Sequence, residues 1–176
     1  MVEPSGSSIF FIGLIMKRVL FLDRDGIVNV DTVDVHKKED FVFTPDIFEV
    51  CKYAQDNGYY IIIMSNQTGV TRNVFTQDDV DILHRWVKES FKAQGIDILD
   101  FFYCTEYKSF SRKPQPGMFF EAAARHEIDI PNSLMVGDKV SDRIDMDKLR
   151  SYILKSQYTK DNEYDIESLL ELKHYM

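Results

Sequence analysis

With 176 residues, 44% of them hydrophobic and 13% aromatic, the chain is long enough to bury one core and too short for two domains of ordinary size. A formal net charge of -8 argues against a broad surface for nucleic-acid phosphates, which needs a basic patch or stripe; a small anionic substrate requires positive charge gathered locally. Cys51 and Cys104, the two cysteines, supply neither a disulfide framework nor metal-ligand spacing, which points to a reducing, cytoplasmic setting.

Residues Ile9 to Met16 are apolar but too few to span a bilayer, and no basic region precedes them as in a signal peptide. Met16, directly before Lys17 and Arg18, is a candidate natural start, so 1–16 reads as an N-terminal extension and 17–176 as a single domain. The next stretch, Val19-Leu20-Phe21-Leu22-Asp23-Arg24-Asp25-Gly26, is an apolar strand that ends in two carboxylates one residue apart. Alternation sends Asp23 and Asp25 to one side and Arg24 to the other. Crowded like charges call for a cation, a proton or hydrogen bonds, which marks the pair as a candidate metal or acid/base site. Standing alone, the pair reads equally well as an exposed acidic loop. Thr44 and Pro45 then open a helix as cap and first helical residue, with Ile47, Val50, Cys51 and Ala54 as its apolar stripe and Gly58 as its close.

A second apolar run, Tyr59 to Met64, hands over to Ser65-Asn66-Gln67-Thr68-Gly69. A hydroxyl, two amides and a glycine can hold phosphate oxygens through side chains and N–H groups, or form an ordinary polar turn. Thr76 to Asp79 reads as a capping box for a helix carrying Val80, Leu83, Val87 and Phe91 and stopped by Gly95. The third run, Phe101 to Tyr103, leads to Arg112-Lys113-Pro114-Gln115-Pro116-Gly117, two cations in a proline-stiffened loop. A helix is expected from Pro116 and Gly117, carrying Phe119, Phe120, Ala123 and Ala124. After the fourth run, Leu134 to Val136, come Asp138, Lys139 and Asp142, with Ser141 expected to cap a helix and Asp142 to lie in its first turn. Tyr152 to Leu154 reads as a fifth strand and Ile166 to Leu172 as a terminal helix. His36, His84, His126 and His174 are scattered and read as surface or structural residues.

Buried strands alternating with helices predict an open α/β architecture, mostly parallel, with right-handed crossovers and helices on both faces. Such sheets bind ligands beyond the carboxyl ends of their strands. The acidic, hydroxyl, basic and acidic sets all fall at that edge.

Together these four sets resemble the motifs of the haloacid dehalogenase superfamily of aspartate-nucleophile phosphohydrolases, matched by Asp23/Asp25, Ser65, Lys113 and Asp138/Asp142 over roughly Lys17 to Asp142. The resemblance implies a Rossmann-like fold of that superfamily and a Mg²⁺-dependent phosphatase working through an aspartyl phosphate. It implies Asp23 as nucleophile and Asp25 as general acid and base, with Ser65 and the Asn66 N–H on the phosphoryl oxygens and Lys113 neutralising the phosphoryl group and orienting Asp23. Mg²⁺ would be held by Asp23, the Asp25 backbone carbonyl and Asp138. Asp142 would sit behind them, orienting Lys139 or a metal-bound water.

The wording FLDRDGIVN, SNQTGV, RKPQPGM and VGDKVSD looks like the histidinol-phosphate and heptose-bisphosphate phosphatase branch, and NVDTVDVH, from Asn29 to His36, looks more like its heptose-bisphosphate members. That implies removal of the 7-phosphate of D-glycero-D-manno-heptose 1,7-bisphosphate; the acidic charge and the short apolar segment predict no nucleic-acid or membrane partner, and a monomer is expected. Substrate contacts would come from Arg24, Asp31, Asp34, Asn66, Gln67, Thr68, Arg72, Arg112 and Lys139, with Arg112 or Arg72 on the second phosphate. Related sequences act on histidinol phosphate or on the 3'-phosphate ends of nucleic acid, and a non-catalytic binding protein is the alternative outside the enzymes. Strand-helix units use up the intervals from Asp23 to Ser65 and from Ser65 to Lys113, so no substantial cap domain is expected. Many members of the branch carry a cysteine-rich zinc loop before the Arg-Lys-Pro motif; here Cys104-Thr105-Glu106-Tyr107-Lys108-Ser109-Phe110-Ser111 keeps one cysteine, and no zinc is expected.

Overall fold

All five strands expected from the sequence form in the computed structural model, which describes residues 16–176; of the expected extension, only Met16 falls within it. They are β1 (Arg18–Leu22), β2 (Tyr59–Asn66), β3 (Ile98–Cys104), β4 (Leu134–Gly137) and β5 (Arg150–Ile153). Every pairing is parallel, in the order β3-β2-β1-β4-β5. Parallel neighbours need long crossovers, three of which contain α1 (Ile47–Asp56), α2 (Gln77–Ala93) and α3 (Gly117–His126).

The two-residue period of the strands divides the core. Leu20, Leu22, Ile61, Ile63, Leu134 and Val136 face one side, where they meet Ile47, Val50, Cys51 and Ala54 of α1 and Leu83, Val87 and Phe91 of α2. Val19, Phe21, Ile62, Met64 and Met135 face the other, against Met118, Phe119 and Ala122 of α3. Phe21 and Phe119 meet edge to face with ring centroids 5.0 Å apart, a contact that adds about 1 kcal/mol to the burial of both rings. Strands hidden on both faces explain the continuous apolar runs.

From β1 the chain builds outward in one direction through β2 and β3 and in the other through β4 and β5. The crevice at such a reversal is where open α/β sheets bind ligands. Here it lies between the ends of β1 and β4, and the Asp23 N–H donates across it to the Val136 carbonyl at 2.9 Å.

Several local expectations are corrected. Thr44 does not cap α1: its hydroxyl donates to the Ile27 carbonyl, its N–H goes to Val28 O at 3.1 Å, and the helix starts after Asp46, which has φ 66°. Phe120 is 50% exposed, because the buried stripe of α3 runs through Met118, Phe119 and Ala122. Ser141 caps no helix. Only a 3-10 turn, Val140–Asp142, follows β4, and the chain is then drawn to the β3–α3 loop, where the Asp145 N–H meets Pro114 O at 2.9 Å. The terminal helix is a 3-10 segment, Leu169–His174, capped by Ser168 and Glu171. The Thr76 and Asp79 capping box of α2 forms as expected. No helix among the described residues is long and apolar enough to cross a membrane.

Candidate active site

The site begins where β1 ends. Lys113, in the loop after β3, is buried with its Nζ 2.7 Å from Asp23 Oδ1 and 2.6 Å from Asp142 Oδ1. Asp23 Oδ1 also accepts the Arg24 N–H at 2.8 Å, and no donor among the described residues reaches its Oδ2. Burial, with Asp142 alongside, pushes the Asp23 carboxyl from 3.8 up to about 7 against the pull of Lys113. Burial disfavours the Lys113 charge in turn, but Asp142 and Asp23 outweigh it and hold the ammonium above the ordinary lysine value. The loop that carries Lys113 is pinned by Asn66: the amide donates to Lys113 O at 3.2 Å and accepts the Lys113 N–H at 3.1 Å.

Asp25 is gripped from three sides. Its Oδ1 accepts from Arg24 Nε at 3.2 Å, Arg24 Nη2 at 2.8 Å and Asn29 Nδ2 at 3.0 Å. Its Oδ2 accepts from Gln67 Nε2 at 2.9 Å, and the same amide nitrogen donates to Ser65 Oγ at 2.6 Å. Gln67 thus ties the hydroxyl after β2 to the second carboxylate after β1. Arg24, expected on substrate, is 1% exposed and spends its other contact on the Val35 carbonyl at 2.6 Å. It braces Asp25 from behind.

Across the crevice, Asp138 and Asp142 follow β4. Ligand oxygens of Asp23, Asp138 and Asp142 all lie within 4.8 Å of one another. Asp142 has both oxygens engaged, one by Lys113 and one by the Lys139 N–H at 3.1 Å; it steadies the Lys113 ammonium and the Lys139 backbone. Asp138 Oδ1, by contrast, is buried with no hydrogen-bond partner among the described residues. Burial pushes Asp138 up to about 6 despite Lys139 nearby, with Asp142 and Asp31 adding to the rise. Two glycines make room: a Cβ on Gly26, which has φ +97°, would stand 2.2 Å from Asp138 Cγ, and one on Gly137 2.1 Å from Asp142 Cγ. An orphaned buried carboxylate with a second one beside it fits a small divalent cation with oxygen ligands. The Asp25 carbonyl, which takes no N–H among the described residues, is a third oxygen of the right kind.

A cavity of about 230 Å³ is lined by Asp23, Asp25, Asn66, Thr68, Arg112, Lys113, Lys139, Ser141 and Asp142. A neighbouring one, also about 230 Å³, shares Asp25, Asn66, Thr68 and Lys139 and adds Asp31, Asp34, Gln67 and Tyr158. Arg112 makes no ion pair among the described residues. Its guanidinium lies 5.4 Å from the Tyr107 ring centroid and its Nη1 is buried without a partner. Arg72 lines neither cavity and pairs with Asp34 at the surface, so of the two cations expected for a second phosphate only Arg112 stands beside Asp23. The shortened loop after β3 borders an open groove of about 620 Å³ along Tyr107 to Gln115.

Residues 19–167 match the family described as polynucleotide kinase 3 phosphatase. The chain is also 39% identical over 135 residues, 71% of its length and 74% of the relative's, to the D-glycero-alpha-D-manno-heptose-1,7-bisphosphate 7-phosphatase of Photorhabdus laumondii. The chain belongs to this haloacid dehalogenase family of phosphatases. A second relative of the phosphatase, the D-glycero-beta-D-manno-heptose-1,7-bisphosphate 7-phosphatase of Helicobacter pylori, is 40% identical over 131 residues, 72% of this chain and 76% of that one. Among solved structures, the D,D-heptose 1,7-bisphosphate phosphatase of B. bronchiseptica, complexed with magnesium and phosphate, superposes with a TM-score of 0.75 at 20% identity and covers 90% of this chain and 97% of its own. That likeness bears on the fold of this phosphatase.

Four residues of the site were not picked out from the sequence of the phosphatase. Asn29 lies inside the motif after β1, and its spacing from Asp25 was a usable signal. Ser141 has the sequence look of a helix cap, yet it lines the cavity. Tyr107 and Tyr158 carry no local signal: Tyr158 sits beyond β5, yet its hydroxyl donates to Asp31 Oδ2 at 3.0 Å.

Proposed function

We propose that this phosphatase removes the 7-phosphate of D-glycero-D-manno-heptose 1,7-bisphosphate, with Asp23 as nucleophile and Asp25 as acid and base. The carrying observation is the Lys113 ammonium, fixed 2.7 Å from Asp23 Oδ1 while no donor among the described residues reaches Oδ2. A carboxylate 4 Å from a phosphate charge meets about 4 kcal/mol of repulsion per charge pair at an effective dielectric near 20. Lys113 offsets that repulsion, and the lone pair on Oδ2 is left for attack. Asp23, Asp138 and the Asp25 carbonyl would hold Mg²⁺, which supplies positive charge to the carboxylates and to the phosphoryl oxygens.

In the first step Oδ2 of Asp23 forms a bond to phosphorus, the bond from phosphorus to the sugar oxygen breaks, and Asp25 gives its proton to that oxygen. For this, the Gln67 amide nitrogen moves off Asp25 Oδ2, so that Oδ2 can carry the proton and direct it at the sugar oxygen. In the second, water adds to phosphorus, Asp25 takes its proton, and the bond to Asp23 breaks to release inorganic phosphate. The Ser65 hydroxyl donates to a phosphoryl oxygen, and Arg112, with no anionic partner among the described residues, takes the second phosphate. The named relatives support the heptose substrate.

Phosphate release with Mg²⁺ across both anomers of heptose 1,7-bisphosphate, histidinol phosphate and a 3'-phosphorylated oligonucleotide tests this. The highest kcat/KM is expected for a heptose anomer. A preference for either of the others overturns the substrate, and no release from any of them overturns the activity.

A further inference from the structure

Lys139 follows Asp138 directly and reaches over the acidic cluster. Its Nζ makes only a long ion pair with Asp138 Oδ1 at 3.7 Å and a hydrogen-bonded one with Asp31 Oδ2 at 2.8 Å. Tyr158 reinforces this choice twice. Its hydroxyl donates to the same Asp31 oxygen at 3.0 Å, and its ring lies under the ammonium, 4.4 Å from Nζ to centroid. Asp31 is held from its other end by the Val33 N–H on Oδ1 at 2.9 Å. The Tyr158 N–H donates to Ser156 Oγ at 3.0 Å, and that hydroxyl donates to the Asp138 carbonyl at 2.6 Å. Loops after β1, β4 and β5 are thus joined around one ammonium group.

A few side-chain rotations would bring Nζ from 3.7 Å to full contact with Asp138, roughly 2.8 Å. Paired in that way, Asp138 would have its charge cancelled by an internal cation. We propose that Asp31 and Tyr158 form a latch that holds Lys139 off Asp138 and keeps that carboxylate available to a divalent cation. The inference rests on the reading that Asp23 and Asp138 hold Mg²⁺. Tyr158 is a positioning residue: it acts through Lys139, and its ring does most of the holding, because Asp31 without the phenol proton remains a full acceptor for the ammonium.

Calorimetric titration of Mg²⁺ into the metal-free protein, at fixed ionic strength, tests the latch without any turnover. Tyr158→Leu should raise the Mg²⁺ Kd about two- to fivefold, the range of a half-exposed cation–π contact. Tyr158→Phe, which keeps the ring, should match the wild type. In a Lys139→Met background, where no ammonium competes for Asp138, Tyr158→Leu should leave Kd unchanged. Equal Kd values for wild type and Tyr158→Leu, or the same rise with and without Lys139, overturn the latch. Failure of the wild type to bind Mg²⁺ overturns the metal reading beneath it, a result distinct from tight binding that ignores Tyr158.

Discussion

Asp23→Asn should abolish turnover and make the metal-free protein more stable. Burial and Asp142 raise the Asp23 carboxyl from 3.8 to about 7, so its ionised form is the disfavoured one inside the fold. Each pH unit of such a rise corresponds to about 1.4 kcal/mol, which sets a ceiling near 4 kcal/mol for keeping Asp23 charged at pH 7.5. Asp138 lies in the same acidic cluster and takes up part of any change, so a gain of about 2–4 kcal/mol is expected. An asparagine keeps the oxygen that Lys113 and the Arg24 N–H bond. At 2–4 °C per kcal/mol for a domain of this size, Tm should rise by roughly 5–15 °C. The folded state holds this proton more tightly than the unfolded chain, so wild-type stability falls as pH rises from 3.8 to about 7. The gain of the variant should therefore be full at pH 7.5 and vanish toward pH 4. Added Mg²⁺ should narrow the gap, since it stabilises the wild type through a ligand the variant lacks. Thermal melts across pH 4–8 with and without Mg²⁺ check this. A variant no more stable than wild type at pH 7.5 without metal, or a gain independent of pH, refutes the reasoning.

Lys113→Met leaves Asp23 and Asp142 buried without their shared cation; about 3–5 kcal/mol of stability and at least about a hundredfold in kcat should be lost, and a variant within twofold of wild-type kcat contradicts the account. Arg112→Ala should raise KM for heptose 1,7-bisphosphate by about ten- to a hundredfold, with little effect on a heptose 7-phosphate lacking the second phosphate; equal effects on both substrates remove Arg112 from the second-phosphate role. His84 is buried and stacked on Phe101 at 4.7 Å, and burial, with the Arg24 charge adding, holds it down at about 3 rather than 6.5. The unfolded chain takes up that proton as pH falls through 6.5, so wild type should lose about 2 kcal/mol between pH 7 and 5 that His84→Phe retains. Over that interval the Tm difference between the two should shift by roughly 4–8 °C; parallel pH profiles contradict it.

The strand ends were legible because parallel strands buried on both faces announce themselves as apolar runs, and their carboxyl ends share one edge whatever the details of packing. Asp23, Ser65, Lys113 and Asp138 converge for that reason. What the sequence hid depends on partners far along the chain. Thr44 has the look of a cap, but its hydroxyl is claimed by Ile27, and Ser141 loses its helix because the chain beyond it is pulled to Pro114. Arg24 is expected on the side away from Asp25, yet β1 ends at Leu22 and the guanidinium bonds the Asp25 carboxylate. Helical spacing alone could not tell Phe120 from Met118. Tyr158 meets Asp31 across 127 positions, from a tail with no motif of its own.

The central claim, that Asp23 carries the phosphoryl group, is tested by acid-quenching the enzyme during turnover of heptose 1,7-bisphosphate, reducing with borohydride and mapping the peptide after β1 by mass spectrometry. An aspartyl phosphate is reduced to homoserine, so homoserine should appear at position 23, only with substrate and only in the wild type. Its appearance at position 25, or its absence from an enzyme that is releasing phosphate, would contradict the account.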